Sequence, residues 1–190
     1  MGNKKALILY SGGLDSTTVL HHALSKGYDC TALTIDYNQR HSYEVKSSQE
    51  YLKKENIDGL IFKIDLSQIG GSALTDSEIK VPVEHQDGIP ITYVPARNTI
   101  FLSIASAYAE KLMIPEIFIG VNQIDYSGYP DCREEFIVSF EKMINQCTKK
   151  GLEGRSFRIK TPLINLSKGE IVLVGKKNNV DFSKTSSCYN

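Results

Sequence analysis

This 190-residue sequence has no excess of charge of either sign: 22 lysines and arginines balance 22 aspartates and glutamates. Proteins that neutralise many nucleic-acid phosphates carry a basic excess on some face, and a balanced composition gives no global sign of one. Direct nucleic-acid binding is therefore not expected. Long apolar runs are missing too. Met1-Gly2-Asn3-Lys4-Lys5 leads into a strand pattern without an apolar leader, and no later run reaches transmembrane length; a cytoplasmic protein with no membrane partner is expected. Cysteine is sparse. Cys30, Cys132, Cys147 and Cys188 form no C-x-x-C pair, so neither a disulfide scaffold nor a complete zinc site can be read, and reduced thiols are the default. Also absent is G-x-x-x-x-G-K-[ST], which excludes a Walker A loop and its lysine for β/γ transfer. No internal repeat or low-complexity stretch occurs. What is present, 41% hydrophobic and 9% aromatic residues, suffices for the core of a single globular domain spanning 1–190.

The stretch that organises the rest is Ser11-Gly12-Gly13-Leu14-Asp15-Ser16, set between the apolar run Ala6 to Tyr10 and a helix-patterned segment from Thr17 to Ser25. Two adjacent glycines allow a sharp turn and close approach of a ligand, because neither carries a Cβ. The free N–H groups of the first helical turn, helped by the helix dipole, then make an anion cradle. Ser11, Ser16, Thr17 and Thr18 add hydroxyl donors, a density suited to a pyrophosphate. Asp15 would repel phosphates unless a cation sat between them, and Mg2+ would do that. The alternative makes Asp15 or Ser16 simply the helix N-cap.

The pattern continues as alternating strands and helices. Val19, Leu20, Ala23 and Leu24 recur at helical spacing with Gly27 as a stop, and His21 and His22, lacking partners at ligand spacing, read as exposed or rim histidines. Strands are expected at Thr31–Ile35, Leu60–Ile64, Ile117–Val121 and Phe157–Lys160, and helices at Tyr43–Glu55, from Val94-Pro95-Ala96-Arg97-Asn98 to Pro115, at Arg133–Cys147 and at Ser167–Asn178. In the longest helix Ile100, Phe101, Ile104, Ala105, Tyr108 and Leu112 form the expected core stripe. Residues 66–94 show no period and are punctuated by Gly70-Gly71, Pro82, Gly88 and Pro90; so long a connection is expected to be a lid or substrate loop. The order implies an α/β fold with a doubly wound parallel five-stranded sheet, Rossmann-like, with loops after its strands converging on one crevice.

Those loops carry the candidate residues. Asp36 and Tyr37 end the second strand and are placed to meet adenosine, although Asp36 could equally serve its own turn. Arg97 and Asn98 lie at a helix start, where a cation is disfavoured, so an anionic ligand nearby is expected. Tyr126 or Tyr129 could stack on a flat heterocycle, Asp131 could accept from a guanine-like edge, and Arg133 or Arg97 could hold a carboxylate. Cys132 reads as a structural thiol.

A strand followed by SGGLDS resembles the PP-loop ATP pyrophosphatases, which adenylate a substrate oxygen. More specifically, Tyr10 to Thr18, Asp36 to His41, Gly71 to Thr75, Tyr93 to Asn98, Gly120-Val121-Asn122, Asp125 to Arg133, Thr161-Pro162-Leu163 and Ser187-Cys188-Tyr189-Asn190 together resemble the 7-cyano-7-deazaguanine synthase family of queuosine biosynthesis. The resemblance implies an adenine nucleotide alpha hydrolase-like fold and an ATP-dependent carbon-nitrogen ligase. ATP would activate 7-carboxy-7-deazaguanine, ammonia would give the amide, and a second activation the nitrile. It assigns Tyr10, Ser11, Gly12, Gly13, Leu14, Asp15, Ser16, Thr17 and Asp36 to ATP with Mg2+, and Arg97, Asn98, Tyr126, Asp131 and Arg133 to the substrate. Asp15, Ser16 and Arg97 are the residues assigned to the chemistry. It further implies a homodimer and a zinc site to which Cys188 contributes, completed in family members by a tail beyond Asn190, so that 181–190 begins a segment expected to be loosely held. The competing readings are a PP-loop enzyme that adenylates a tRNA base and a nucleotide-binding module without turnover.

Overall fold

The computed structural model describes residues 4–38, 43–76, 79, 88–122 and 128–185. Five strands, β1 (Lys4–Leu9), β2 (Tyr28–Asp36), β3 (Asp58–Lys63), β4 (Glu116–Phe118) and β5 (Arg158–Lys160), pair in parallel in the order β3-β2-β1-β4-β5. Parallel neighbours need crossovers, and helices supply them. They are α1 (Leu14–Ser25), α2 (Tyr43–Lys54), α3 (Arg97–Lys111), α4 (Glu134–Cys147) with the short α5 (Lys149–Leu152), and α6 (Lys168–Lys177) after β5. The expected doubly wound sheet is the one the chain forms. Its strand order reverses between β1 and β4, and the crevice at such a switch point is where ligands of open α/β sheets bind.

The pleat divides the core in two. Leu7 and Leu9 of β1 face α3 and α4 with Leu102, Ala105, Phe140 and Ile144, whereas Ala6 and Ile8 face α1, α2 and α6 with Val19, Leu20, Leu52 and Ile171. Burial on both faces explains why the central strands read as nearly continuous apolar runs. On α3 the buried stripe is Asn98, Leu102, Ala105 and Ala109, and the larger residues expected as core, Ile100, Phe101, Ile104, Tyr108 and Leu112, flank it half-buried. Small residues at the centre let the helix approach the sheet, which size-weighted reading of the stripe misses.

Three further expectations gain structural detail. His21 sits half-buried at the rim, and its ring nitrogens meet the Tyr51 hydroxyl at 2.7 Å and the Asn178 carbonyl at 3.2 Å, tying α1 to α2 and to the end of α6. The connection after β3 is anchored at both ends, with Leu66, Ala73, Leu74 and Val94 buried and the Ala73 N–H donating to the Ile91 carbonyl at 2.9 Å; 77–78 and 80–87 lie outside the described residues. The segment from Asp181 to Thr185 is held, because Gly175 opens a notch for the Phe182 ring that a Cβ would close, and Lys184 pairs with Asp181 at 2.9 Å.

Candidate active site

The turn after β1 is built by its own hydroxyls. The Ser11 N–H donates to Ser16 Oγ at 3.2 Å, the two Oγ atoms lie 3.1 Å apart, and Ser16 Oγ donates to the Gly13 carbonyl at 3.1 Å. Gly12 adopts φ +82°, and a Cβ there would sit 3.1 Å from Ser48 Cβ. It thus permits both the turn and the close approach of α2. Gly13 is the N-cap residue of α1, and no side chain caps the helix. The alternative in which Asp15 or Ser16 serves as the N-cap is therefore overturned; both lie inside the first turn.

Asp15 is the electrostatic centre. Its Oδ2 accepts from Lys168 Nζ at 2.5 Å and from Asn122 Nδ2 at 3.1 Å, while Oδ1 is buried with no hydrogen-bond donor among the described residues. Lys168 and Asn122 were not singled out from sequence. The signal for Lys168 was legible: Ser167-x-x-Glu170 is a capping box, with the Ser167 N–H donating to Glu170 Oε2 at 2.8 Å and the Glu170 N–H to Ser167 Oγ at 3.4 Å. That box starts a helix just beyond β5, on the ligand side of the sheet. The chain has no Walker A lysine, and Lys168 brings an ammonium to Asp15 from outside the turn. Asn122 follows Gly120, where a Cβ would lie 3.3 Å from the Asp15 carbonyl carbon and the Ser16 nitrogen. A side chain here would crowd the start of α1.

A cavity of about 530 Å3 opens from this turn and joins three kinds of wall. Ser11, Gly13, Leu14, Asp15, Ser16 and Lys168 line the polar end; Leu9, Leu33, Thr34 and Ile35 line a middle section; and Leu74, Arg97, Asn98, Phe101, Tyr129 and Cys132 line the far end. Tyr37 also reaches the wall, its ring 5.4 Å from that of Phe101. Tyr10 lines the cavity as well, and burial is the main cause that pushes its phenol up to about 12, although Thr17 Oγ1 donates to it at 3.5 Å.

The other sequence-derived candidates are placed as follows. Gly12 and the buried Thr17 shape the turn from behind the wall. Asp36 is off the wall, and its Oδ1 accepts from the Asn38 N–H at 3.4 Å, a turn contact. Asp131 is also off the wall, at 7% exposure, and its Oδ2 accepts from the Asn98 N–H at 2.8 Å. Arg133 is exposed and away from the cavity. Cys132 is buried and accepts from Asn98 Nδ2 at 3.1 Å, the packing of a structural thiol. Tyr126 and Cys188 lie outside the described residues. Among the described residues no group of three or more His, Cys, Asp or Glu could hold a metal ion, and no helix is long and apolar enough to cross a membrane.

Comparison with known proteins places the chain in a family. Residues 5–190 match the family model described as queuosine biosynthesis protein QueC. The chain belongs to the QueC family. Over all 190 residues it is 55% identical to 7-cyano-7-deazaguanine synthase of Saccharophagus degradans and 54% identical to that of Cellvibrio japonicus, covering 84% of each. Among solved structures it resembles a predicted subunit of tRNA methyltransferase from Methanocaldococcus jannaschii (TM-score 0.59, 17% identity, 91% of this chain and 74% of that one). It also resembles a 4-thiouridine synthetase in complex with RNA and bound ATP (TM-score 0.53, 19% identity, 97% and 44%). At such identities the solved structures establish the fold and nothing further.

Proposed function

We propose that this cavity makes 7-cyano-7-deazaguanine from 7-carboxy-7-deazaguanine and ammonia at the expense of ATP. The observation that carries the reading is that one cavity has a hydroxyl-rich helix N-terminus at one end and a guanidinium among aromatic rings at the other. ATP phosphates suit the turn from Ser11 to Ser16, with Lys168 meeting their charge, and the apolar section from Leu9 to Ile35 suits the adenine. The deazapurine ring suits Phe101 and Tyr129, and Arg97 is the group for its carboxylate. Both reactants then share one cavity, which is how proximity lowers the barrier to attack of the carboxylate on the activated phosphate. Expulsion of the activated oxygen by ammonia forms the amide, and a second activation removes the amide oxygen to leave the nitrile.

The residues present fit Mg2+: Asp15 Oδ1 is a buried acceptor without a donor among the described residues, and this cation commonly takes one or two protein carboxylates plus substrate phosphates. Bound there, it would neutralise phosphate charge beside Asp15. Likeness to the family also supports a homodimer and zinc at Cys188, and no step of the reaction is drawn through zinc.

The test is incubation of the protein with Mg2+, ATP, ammonium and 7-carboxy-7-deazaguanine, with the nitrile sought by mass spectrometry. Nitrile that requires all three reactants is the expected result. ATP consumed only in the presence of tRNA would replace this reading with base adenylation, and ATP bound but never consumed would leave a nucleotide-binding module.

A further inference from the structure

We propose that Asn98 presents the hydrogen-bond acceptor that reads the N–H donors of the deazapurine ring, and that Asp131 is the positioning residue that fixes it there. This rests on the substrate assignment above and names the group responsible for recognition.

The argument begins with a defect at the start of α3. Its N-cap residue is Ala96, in the left-handed region at φ +54°, and an alanine has no side chain with which to cap. Asn98, the second residue of the helix, is 5% exposed, so its N–H would be an unsatisfied buried donor. Asp131 repairs this from 33 residues away: held on the 3-10 turn Pro130–Cys132, it brings Oδ2 to 2.8 Å from that N–H. A carboxylate at a helix N-terminus is where the dipole favours one. One oxygen of Asp131 is thereby engaged by the protein, and the residue is absent from the cavity wall.

The Asn98 side chain is fixed by the same turn. Its Nδ2 donates to the Asp131 carbonyl at 3.2 Å and to Cys132 Sγ at 3.1 Å. A backbone carbonyl can only accept, so the amide nitrogen must face it and the amide cannot flip. That leaves Oδ1, which has no hydrogen bond among the described residues, on a side chain that lines the cavity beside Arg97. A neutral acceptor is the better choice at this place. A carboxylate on the wall next to Arg97 would compete for the guanidinium and repel the substrate's own carboxylate, whereas an amide oxygen accepts from ring N–H and amino groups without either effect.

Binding of 7-carboxy-7-deazaguanine and of ATP with Mg2+, each measured by calorimetry on the full chain, tests the assignment. Asn98→Ala should weaken the deazapurine about tenfold or more and leave ATP within about threefold, the loss expected for one unmade buried hydrogen bond. Asp131→Asn keeps a side-chain oxygen for the Asn98 N–H and should bind both ligands within about threefold of wild type, whereas Asp131→Ala should weaken the deazapurine about tenfold. Rescue by the asparagine variant, confined to one of two ligands, is what a general loss of structure would not produce. Equal losses in Asp131→Asn and Asp131→Ala would overturn the proposal, since the charge itself would then be reading the ring, as would wild-type affinity in Asn98→Ala. Should Asp131→Ala fail to fold, Asn98→Ala and Asp131→Asn still decide. A wild-type protein that binds ATP but not the deazapurine sinks the substrate assignment first, and this role for Asn98 with it.

Discussion

At one end of the cavity, Ser11 to Ser16 form a turn whose hydroxyl hydrogen bonds stay within five residues of sequence separation, whereas at the other Arg97 and Asn98 depend on a contact that spans 33. The first is a property of a short peptide placed after a strand. The second exists only once the sheet, α3 and the connection after β4 have come together. Contiguous sites tolerate change elsewhere in the fold, while an imported cap makes ligand geometry a function of tertiary packing.

The contrast is incomplete in one respect, and the largest expected effect tests it. The charge of Asp15 is met by Lys168 from 153 residues away, in an ion pair whose lysine is 46% exposed. Such a pair adds only about 0–1 kcal/mol to stability. Its value lies in what replaces it, because a phosphate could take the lysine from the carboxylate. Lys168→Met and Asp15→Asn should each lower kcat/KM for ATP by about 1.5–3 kcal/mol, roughly ten- to hundredfold, with little change in melting temperature. The double variant should lose less than the sum, as residues acting as one unit do. Strict additivity would return the phosphate end to a purely local device.

How much could be read beforehand follows the same division. SGGLDS, the apolar run of β1 and the helix periods are coded by neighbours a few residues apart, so the sheet, the glycine turn and its place at the crevice are all legible. Sequence leaves Asp36 open between adenosine and its own turn, and its Oδ1 accepts from the Asn38 N–H of that turn. Asp131 reads as an acceptor for a guanine-like edge from its place in a polar loop after the fourth strand; an uncapped helix elsewhere in the chain takes one of its oxygens. The hydrogen bond between His21 and Tyr51 is not legible in sequence, because Tyr51 arrives only with α2. In each case the deciding partner comes from tertiary structure or from the exact turn of a loop, neither of which a period reveals.

A smaller effect separates the two ends by a backbone contact. Gly120→Ala would put a Cβ 3.3 Å from the Asp15 carbonyl carbon and the Ser16 nitrogen, both of them backbone atoms that can yield only by moving the start of α1. Overpacking of this kind costs about 1–3 kcal/mol. The expected outcome is a lower melting temperature and a raised KM for ATP, with calorimetric affinity for 7-carboxy-7-deazaguanine unchanged, because α3 is not touched. Parallel losses for both ligands would mean that the two ends move as one body.

The smallest effect concerns Tyr10, which lines the cavity near the phosphate turn and is held by burial against ionisation up to about 12 from an ordinary value of 10.0. Its folded-state pKa is raised, so the folded chain keeps the proton more tightly than the unfolded one. The stability this represents is fully present below pH 10, falls as pH rises from there, and is lost above about 12. Across the neutral range the phenol is uncharged in both states. Tyr10→Phe should therefore leave the pH dependence of turnover between about 6 and 9 unaltered. It should also flatten the alkaline limb of stability, measured by urea unfolding at a series of pH values. The hydroxyl's one local bond, from Thr17 Oγ1 at 3.5 Å, is long enough that its removal should cost well under about 1 kcal/mol at neutral pH. A shifted turnover profile in this variant would show that the phenol acts on the phosphates, and the phosphate end would then contain a titrating group that its short-range hydrogen bonds do not account for.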